Sequence, residues 1–302
     1  MTEPLILTDT DLPDVWKTAD SASLAGQKWT LRFTVAKVGG GVIAALGGAV
    51  SLGEIDFAVG GWMILAGFSL ALVSEILSWT FQPERAWYDG RAVAESVKTL
   101  AWRYSVCADP FPQTLTEREA GDVLRQRIDS VTNELSDRVA FGGENLVVTQ
   151  AMNQLRIQPF TTRRTSYIEG RTKDQQEWYA KKSQFNRNRS YTWRVILILT
   201  EILAVTLALG RLIGDWPVDL AGLLGAAIAA GAAWVAVKQY SPLASAYSVA
   251  AKELAIQADK LRGVDESSWS MVVADAEEAI SREHTTWLAS RTGLARRHNQ
   301  TG

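Results

Sequence analysis

The chain has a single cysteine, Cys107, only two histidines, and a formal charge balance of −2 over 302 residues. One cysteine forms no intrachain disulfide and suits a reducing compartment. His284 and His298 lie in a polar tail without carboxylate or cysteine partners at ligand spacing, so no metal site is expected. Charges this evenly balanced make no global electrostatic case for nucleic acid, and none is expected as a partner. Walker loop, GxSxG elbow and HExxH stretch are all missing, so neither enzymatic activity nor a cofactor is expected. No stretch alternates with the period of two that a half-buried strand requires. Met1 to Gly26 lacks the basic and apolar regions of a secretory signal, so the N-terminus is expected in the cytosol.

What the chain has is aliphatic side chains gathered into four segments, Phe33 to Leu52, Phe57 to Leu77, Val195 to Ile213 and Leu220 to Val237. Each is close to the roughly 20 residues that a helix needs to cross ~30 Å of hydrocarbon. None is free of charge: Lys37, Glu75, Glu201 and Arg211 interrupt them. The third segment is the strictest test. Its twelve Leu, Ile and Val residues favour insertion by roughly 4 to 7 kcal/mol, against about 3 kcal/mol for a central acid. A soluble bundle is the alternative, but "GLLGAAIAAGAAW" (Gly222 to Trp234) is apolar all round and in water would need burial on every side.

Short connections, Gly53 to Asp56 and Gly214 to Asp219, join the segments into two hairpins. The connections carry Glu54, Asp56, Asp215 and Asp219, whereas the outer flanks carry Lys28, Arg32, Arg85, Arg91, Lys181, Lys182, Arg187, Arg189, Arg194 and Lys238. The positive-inside rule then puts both flanks in the cytosol and both short loops outside it. Parallel hairpins imply an internal repeat, and Trp16 precedes Arg32 by the same sixteen residues that separate Trp178 from Arg194. The expected fold is all-α and integral to the membrane, two tandem transmembrane helical hairpins (four spans) with cytosolic helical extensions. Residues 1–105 form the first hairpin unit, 106–164 a cytosolic helical connector, and 165–302 the second hairpin unit with cytosolic C-terminal helices. Pro83 suits the first turn of an exit helix running toward Tyr104, and Ser241 to Leu261 is the second exit. In the connector, "CADPFPQ" (Cys107 to Gln113) breaks a helix, Thr116 with Glu119 resembles a capping box, and Phe141 to Glu144 reads as a turn.

Three groups of residues carry functional expectations. The intramembrane charges Lys37, Glu75 and Glu201 need partners or an aqueous path. Lys37 and Glu75 lie at similar depths and are expected to pair. Glu201 is left to Lys37, to Lys238, or to a carboxylate ring that favours cations in a pore. Gly40, Ala44 and Gly48, and again Gly222, Ala226 and Ala230, stand four apart as small-residue faces that serve packing within one chain or an oligomer seam. Trp29, Trp79, Trp193 and Trp216 lie near the membrane interfaces. On the approach to the third span, Tyr167, Arg171, Gln175, Trp178 and Lys182 recur at helical spacing, with Tyr179 beside them. Such a face packs against another helix or binds an anion.

The pairing of "RAVAESVKTLAWRY" after one hairpin with "YIEGRTKDQQEWYAKK" before another resembles the SLATT superfamily, two-transmembrane domains associated with bacterial nucleotide-signalling conflict systems. Its most specific part is the spacing of Tyr167, Arg171, Gln175, Trp178 and Tyr179, and two tandem units cover nearly the whole chain. The resemblance implies a membrane effector of a defence system, switched on by a nucleotide signal or a sensor protein. It would assemble as a homo-oligomer in the lipid bilayer of the inner membrane and form a pore or permeabilise it, with both termini cytosolic. The alternative is a non-conducting membrane scaffold or sensor that recruits a cytosolic partner through its helical extensions. A transporter ranks third, because parallel hairpins offer neither a discontinuous helix nor a polar substrate site.

Overall fold

The computed structural model describes residues 5–52, 57–133, 147–214, 220–278 and 280, and all their regular structure is helical. The elements are α1 (Asp14–Leu52), α2 (Phe57–Phe81), α3 (Pro83–Ser105), α4 (Glu117–Asn133), α5 (Gln150–Arg156), α6 (Phe160–Tyr167), a π-helical segment (Ile168–Lys173), α7 (Asp174–Gly214), α8 (Leu220–Lys238), α9 (Tyr240–Arg262) and α10 (266–278). A long approach helix, a return span and an exit helix occur twice, as α1, α2, α3 and as α7, α8, α9. The Phe141 to Glu144 turn, Trp216, both histidines and the acidic hairpin loops lie outside the described residues.

Four helical stretches are long and apolar enough to cross a membrane, and the chain is an all-α, multi-pass membrane protein. With 39 residues α1 measures ~58 Å and with 41 residues α7 ~61 Å, about twice the ~30 Å hydrocarbon thickness. Each therefore has an apolar half and a polar half. Compactness follows those halves rather than the order of the sequence. A polar unit collects Met1–Gly26, Glu84–Ala180 and Ser248–Gly302, and a membrane unit collects Gln27–Pro83 and Lys181–Tyr247.

The polar unit has a conventional apolar core. Val93, Val97 and Ala101 on α3 and Ala120, Leu124 and Ile128 on α4 recur every four residues and are fully buried with Met152, Leu155, Trp269 and Val273. Edge-on contacts of Trp269 with Phe160 and Tyr167, and of Tyr167 with Trp102, fill its centre. Thr116 caps α4 reciprocally: Glu119 N–H donates to its Oγ1 at 3.3 Å, and its own N–H donates to the Glu119 carboxylate at 2.9 Å. The break after α3 buries carbonyls that need donors. Arg156 supplies Tyr104 O, Phe111 O and Pro112 O at 2.8, 2.9 and 3.0 Å, and Arg163 and the Trp269 indole both donate to Val106 O.

In the membrane unit α1 and α2 touch through glycine. A Cβ on Gly67 would stand 2.5 Å from Gly40 O, and one on Gly47 would stand 2.6 Å from Gly60 O. Ala44 is buried in the same seam. Gly48, expected on this face, meets nothing within 4 Å. The reason is the helical period. Seven residues return to within ~20° of the starting direction, so Gly47 follows Gly40, whereas eight residues overshoot by ~80°. In the second hairpin a Cβ on Gly231 would stand 3.0 Å from Leu197, a tight contact, and 3.6 Å from Trp193, an ordinary one. Of the expected stripe there, Gly222 is exposed while Ala226 and Ala230 are half-buried.

Both return spans end the same way. Gln82 and Gln239 take left-handed φ values of 44° and 50°, and the exit helices start at the next residue. Pro83 disfavours a helical Gln82 and occupies a first turn whose N–H groups have no partner to lose. Pro242 sits in the corresponding turn of α9.

Candidate functional site

Two clusters of charge stand out, one in each unit. In the polar unit Arg171 and Glu277 are both buried, with side-chain exposures of 1% and 0%. Arg171 Nε donates to Glu277 Oε1 at 2.9 Å and Nη2 to Oε2 at 2.8 Å, a bidentate fork. Tyr167 Oη donates to Oε1 and Thr99 Oγ1 to Oε2, both at 2.9 Å. Four donors from three side chains thus surround one carboxylate: Thr99 on α3, Tyr167 on α6 and Arg171 on the π segment converge on Glu277 of α10. Burial and the Glu277 charge push the Tyr167 hydroxyl well above its ordinary pKa. Burial alone pulls the Arg171 guanidinium down, but the Glu277 charge and hydrogen bonds outweigh it and the net direction is up. The anion that Arg171 binds is therefore one of the chain's own carboxylates.

The face expected on the approach helix divides at the π segment. Tyr167 and Arg171 are in the core, whereas Gln175 is half-buried and Trp178 and Lys182 are exposed. An i to i+5 ladder inserts one extra residue per turn, so residues after Lys173 no longer continue the direction set by Tyr167 and Arg171. Trp178 and Tyr179 instead form an edge-on pair at 5.1 Å. Glu277 and Thr99 were not singled out from sequence. A signal exists for Glu277: Trp269, Val273, Ala276 and Ile280 form a buried stripe, and Glu277 follows Val273 by four residues on it.

In the membrane unit Lys37 Nζ meets Glu75 Oε2 at 2.8 Å across α1 and α2, with side-chain exposures of 33% and 63%. This pair borders an apolar groove of about 600 Å³ walled by Leu65, Phe68 and Leu72. Glu201 joins neither expected base. Lys37 is held by Glu75, and Lys238 lies over the Trp234 ring at 4.9 Å. Among the described residues Glu201 makes no ion pair or hydrogen bond, and its side chain is exposed on α7. None of the residues in the most apolar part of that span is buried. Trp29 and Trp79 are exposed, as interfacial anchors are, and Trp193 is half-buried against Gly231. Among the described residues no group of His, Cys, Asp and Glu is placed to hold a metal.

Comparison with known proteins gives two adjacent matches. The model of the SMODS and SLOG-associating 2TM effector domain 3 (SLATT_3) matches residues 13–164, and that of effector domain 1 (SLATT_1) matches residues 167–287. No curated protein and no solved structure matches the chain. Tyr167, Arg171 and Glu277 fall in the second match, while Thr99 falls in the first, so the buried carboxylate ties the two together. The repeated approach helix, return span and exit helix, with a family match over each copy, make this chain a member of the SLATT family with two 2TM effector domains in tandem.

Proposed function

We propose that this membrane effector acts by assembling into a homo-oligomer that opens a pore or otherwise permeabilises the inner membrane when activated. The observation that carries the reading is Glu201, a carboxylate on the exposed face of a membrane span with no partner among the described residues. Such groups are costly in lipid and face a protein interior or water in folded assemblies. A ring of them, one per copy, would favour cations along a central path. The polar unit lies on the cytosolic side with both termini, in keeping with the basic flanks and acidic hairpin loops. The trigger is a nucleotide signal or a sensor protein acting on the polar unit, and the bilayer itself is the target. The chain performs no chemistry in this reading.

Ion flux through liposomes containing the purified protein, with and without candidate nucleotides, tests the proposal. Flux on activation that changes its cation preference in Glu201→Gln supports it. Correctly assembled oligomers that stay impermeable under every trigger overturn it and leave a non-conducting scaffold.

A further inference from the structure

We propose that neighbouring copies of this chain join head to tail, with α7 of one copy seated in the groove along α2 beside Lys37 of the next and Glu201 meeting Lys37 across the seam. The inference rests on the homo-oligomer reading above and specifies the interface of its closed state, in which Lys37 of the neighbouring copy holds Glu201; opening releases the carboxylate to the central path. Both partners belong to the membrane unit. The groove is walled by Leu65, Phe68 and Leu72, whose side chains are all exposed, and it is bordered by the Lys37–Glu75 pair. An ammonium has three donors. Glu75 engages Lys37 from one side, and a third of the lysine side chain remains exposed for a second carboxylate.

The complementary surface is the stripe Ile198, Glu201, Val205, Leu209 and Leu212 on α7, whose members recur at helical spacing and are all exposed. Depth matches as well as charge. Lys37 lies ~22 Å from the C-terminal end of α1 and Glu201 ~20 Å from the C-terminal end of α7. One seam therefore sets apolar residues in the groove and a carboxylate beside the exposed ammonium. Groove and stripe are different surfaces, so the contact is heterologous, and with its axis held along the bilayer normal it generates a ring where the rotation closes. In a bilayer such a ring is the geometry a central pore requires.

The experiment uses full-length protein in native membranes with Cys107→Ser as background. One chain carries Leu72→Cys and a co-expressed, differently tagged chain carries Ile198→Cys, positions at matching depth on groove and stripe. Mild oxidation is expected to give a disulfide-linked pair bearing both tags. Adding Glu201→Lys to both chains should reduce that product about tenfold, and reversing the groove pair as well, Lys37→Glu with Glu75→Lys, should restore it. If amine-reactive crosslinking of the same membranes yields oligomers but the mixed disulfide never forms, the seam is wrong while the oligomer reading stands. If no oligomer forms under activating conditions, the oligomer reading itself fails. Co-purification of a phospholipid lost on Lys37→Glu, with no mixed disulfide, would assign the groove to lipid and overturn the seam.

Discussion

Removing the Glu277 carboxylate leaves the Arg171 guanidinium charged, buried and uncompensated, so Glu277→Ala should cost about 3 to 5 kcal/mol. Chemical denaturation followed by tryptophan fluorescence will measure it, since Trp102 and Trp269 are both buried in this core. Replacing both partners with apolar residues, Arg171→Met with Glu277→Leu, should be far milder than either single change, because no desolvated charge is left behind. Tyr167→Phe removes one neutral donor of four and should cost about 1 kcal/mol. The same tyrosine sets a pH dependence. Its pKa is raised in the folded protein, so the proton is held more tightly there than in the unfolded chain. The resulting stability is fully present below the unfolded tyrosine value of about 10 and is lost as pH rises above it. Denaturation midpoints between neutral pH and pH 12 should fall more steeply for the wild type than for Tyr167→Phe.

Helices α1 and α2 approach each other through particular glycines, and the period of the helix decides which. A side chain at Gly67 collides with the backbone of α1, whereas one at Gly48 meets open space within the chain. Gly67→Val should therefore cost at least about 1 to 3 kcal/mol, the usual penalty for overpacking, while Gly48→Val leaves the hairpin close to neutral. Recovery of monodisperse protein in mild detergent after stepwise heating distinguishes them. The π segment is a second case in which local geometry overrode the pattern. Regular spacing from Tyr167 to Lys182 is a property of the letters. The extra residue in the ladder sends the two ends of the stripe to different environments, one core and one surface.

At the scale of the molecule, the family boundary and the compact units cut the chain differently. The two matches meet between residues 164 and 167, yet the polar core draws on both sides of that point through Trp102 with Tyr167 and Thr99 with Glu277. Chains 1–164 and 165–302 expressed separately should each expose apolar core and be degraded or aggregate. Co-expressed, they should reassociate into a protease-resistant complex. Survival of either half alone as a monodisperse, protease-resistant protein would show that the shared core is dispensable. The four spans, the two hairpins, the capping box and the helix start at Pro83 were legible because each follows from local composition or spacing. Glu277 was not, because one acid beside Asp275 and Glu278 in a polar segment looks like any solvated carboxylate until the stripe it interrupts is seen to be buried.

By itself the sequence determined that this is a helical membrane protein made of two similar hairpins, because transfer of aliphatic side chains into hydrocarbon is a local property that sums along twenty residues. It also set Lys37 level with Glu75, since depth along a helix is a count of residues. Only the tertiary structure decided that Arg171 finds its anion in Glu277, and that Glu201 reaches neither Lys37 nor Lys238 among the described residues. Partners separated by more than a hundred residues are chosen by the packing of whole helices, and one extra residue in a helical turn is enough to change which face a side chain joins.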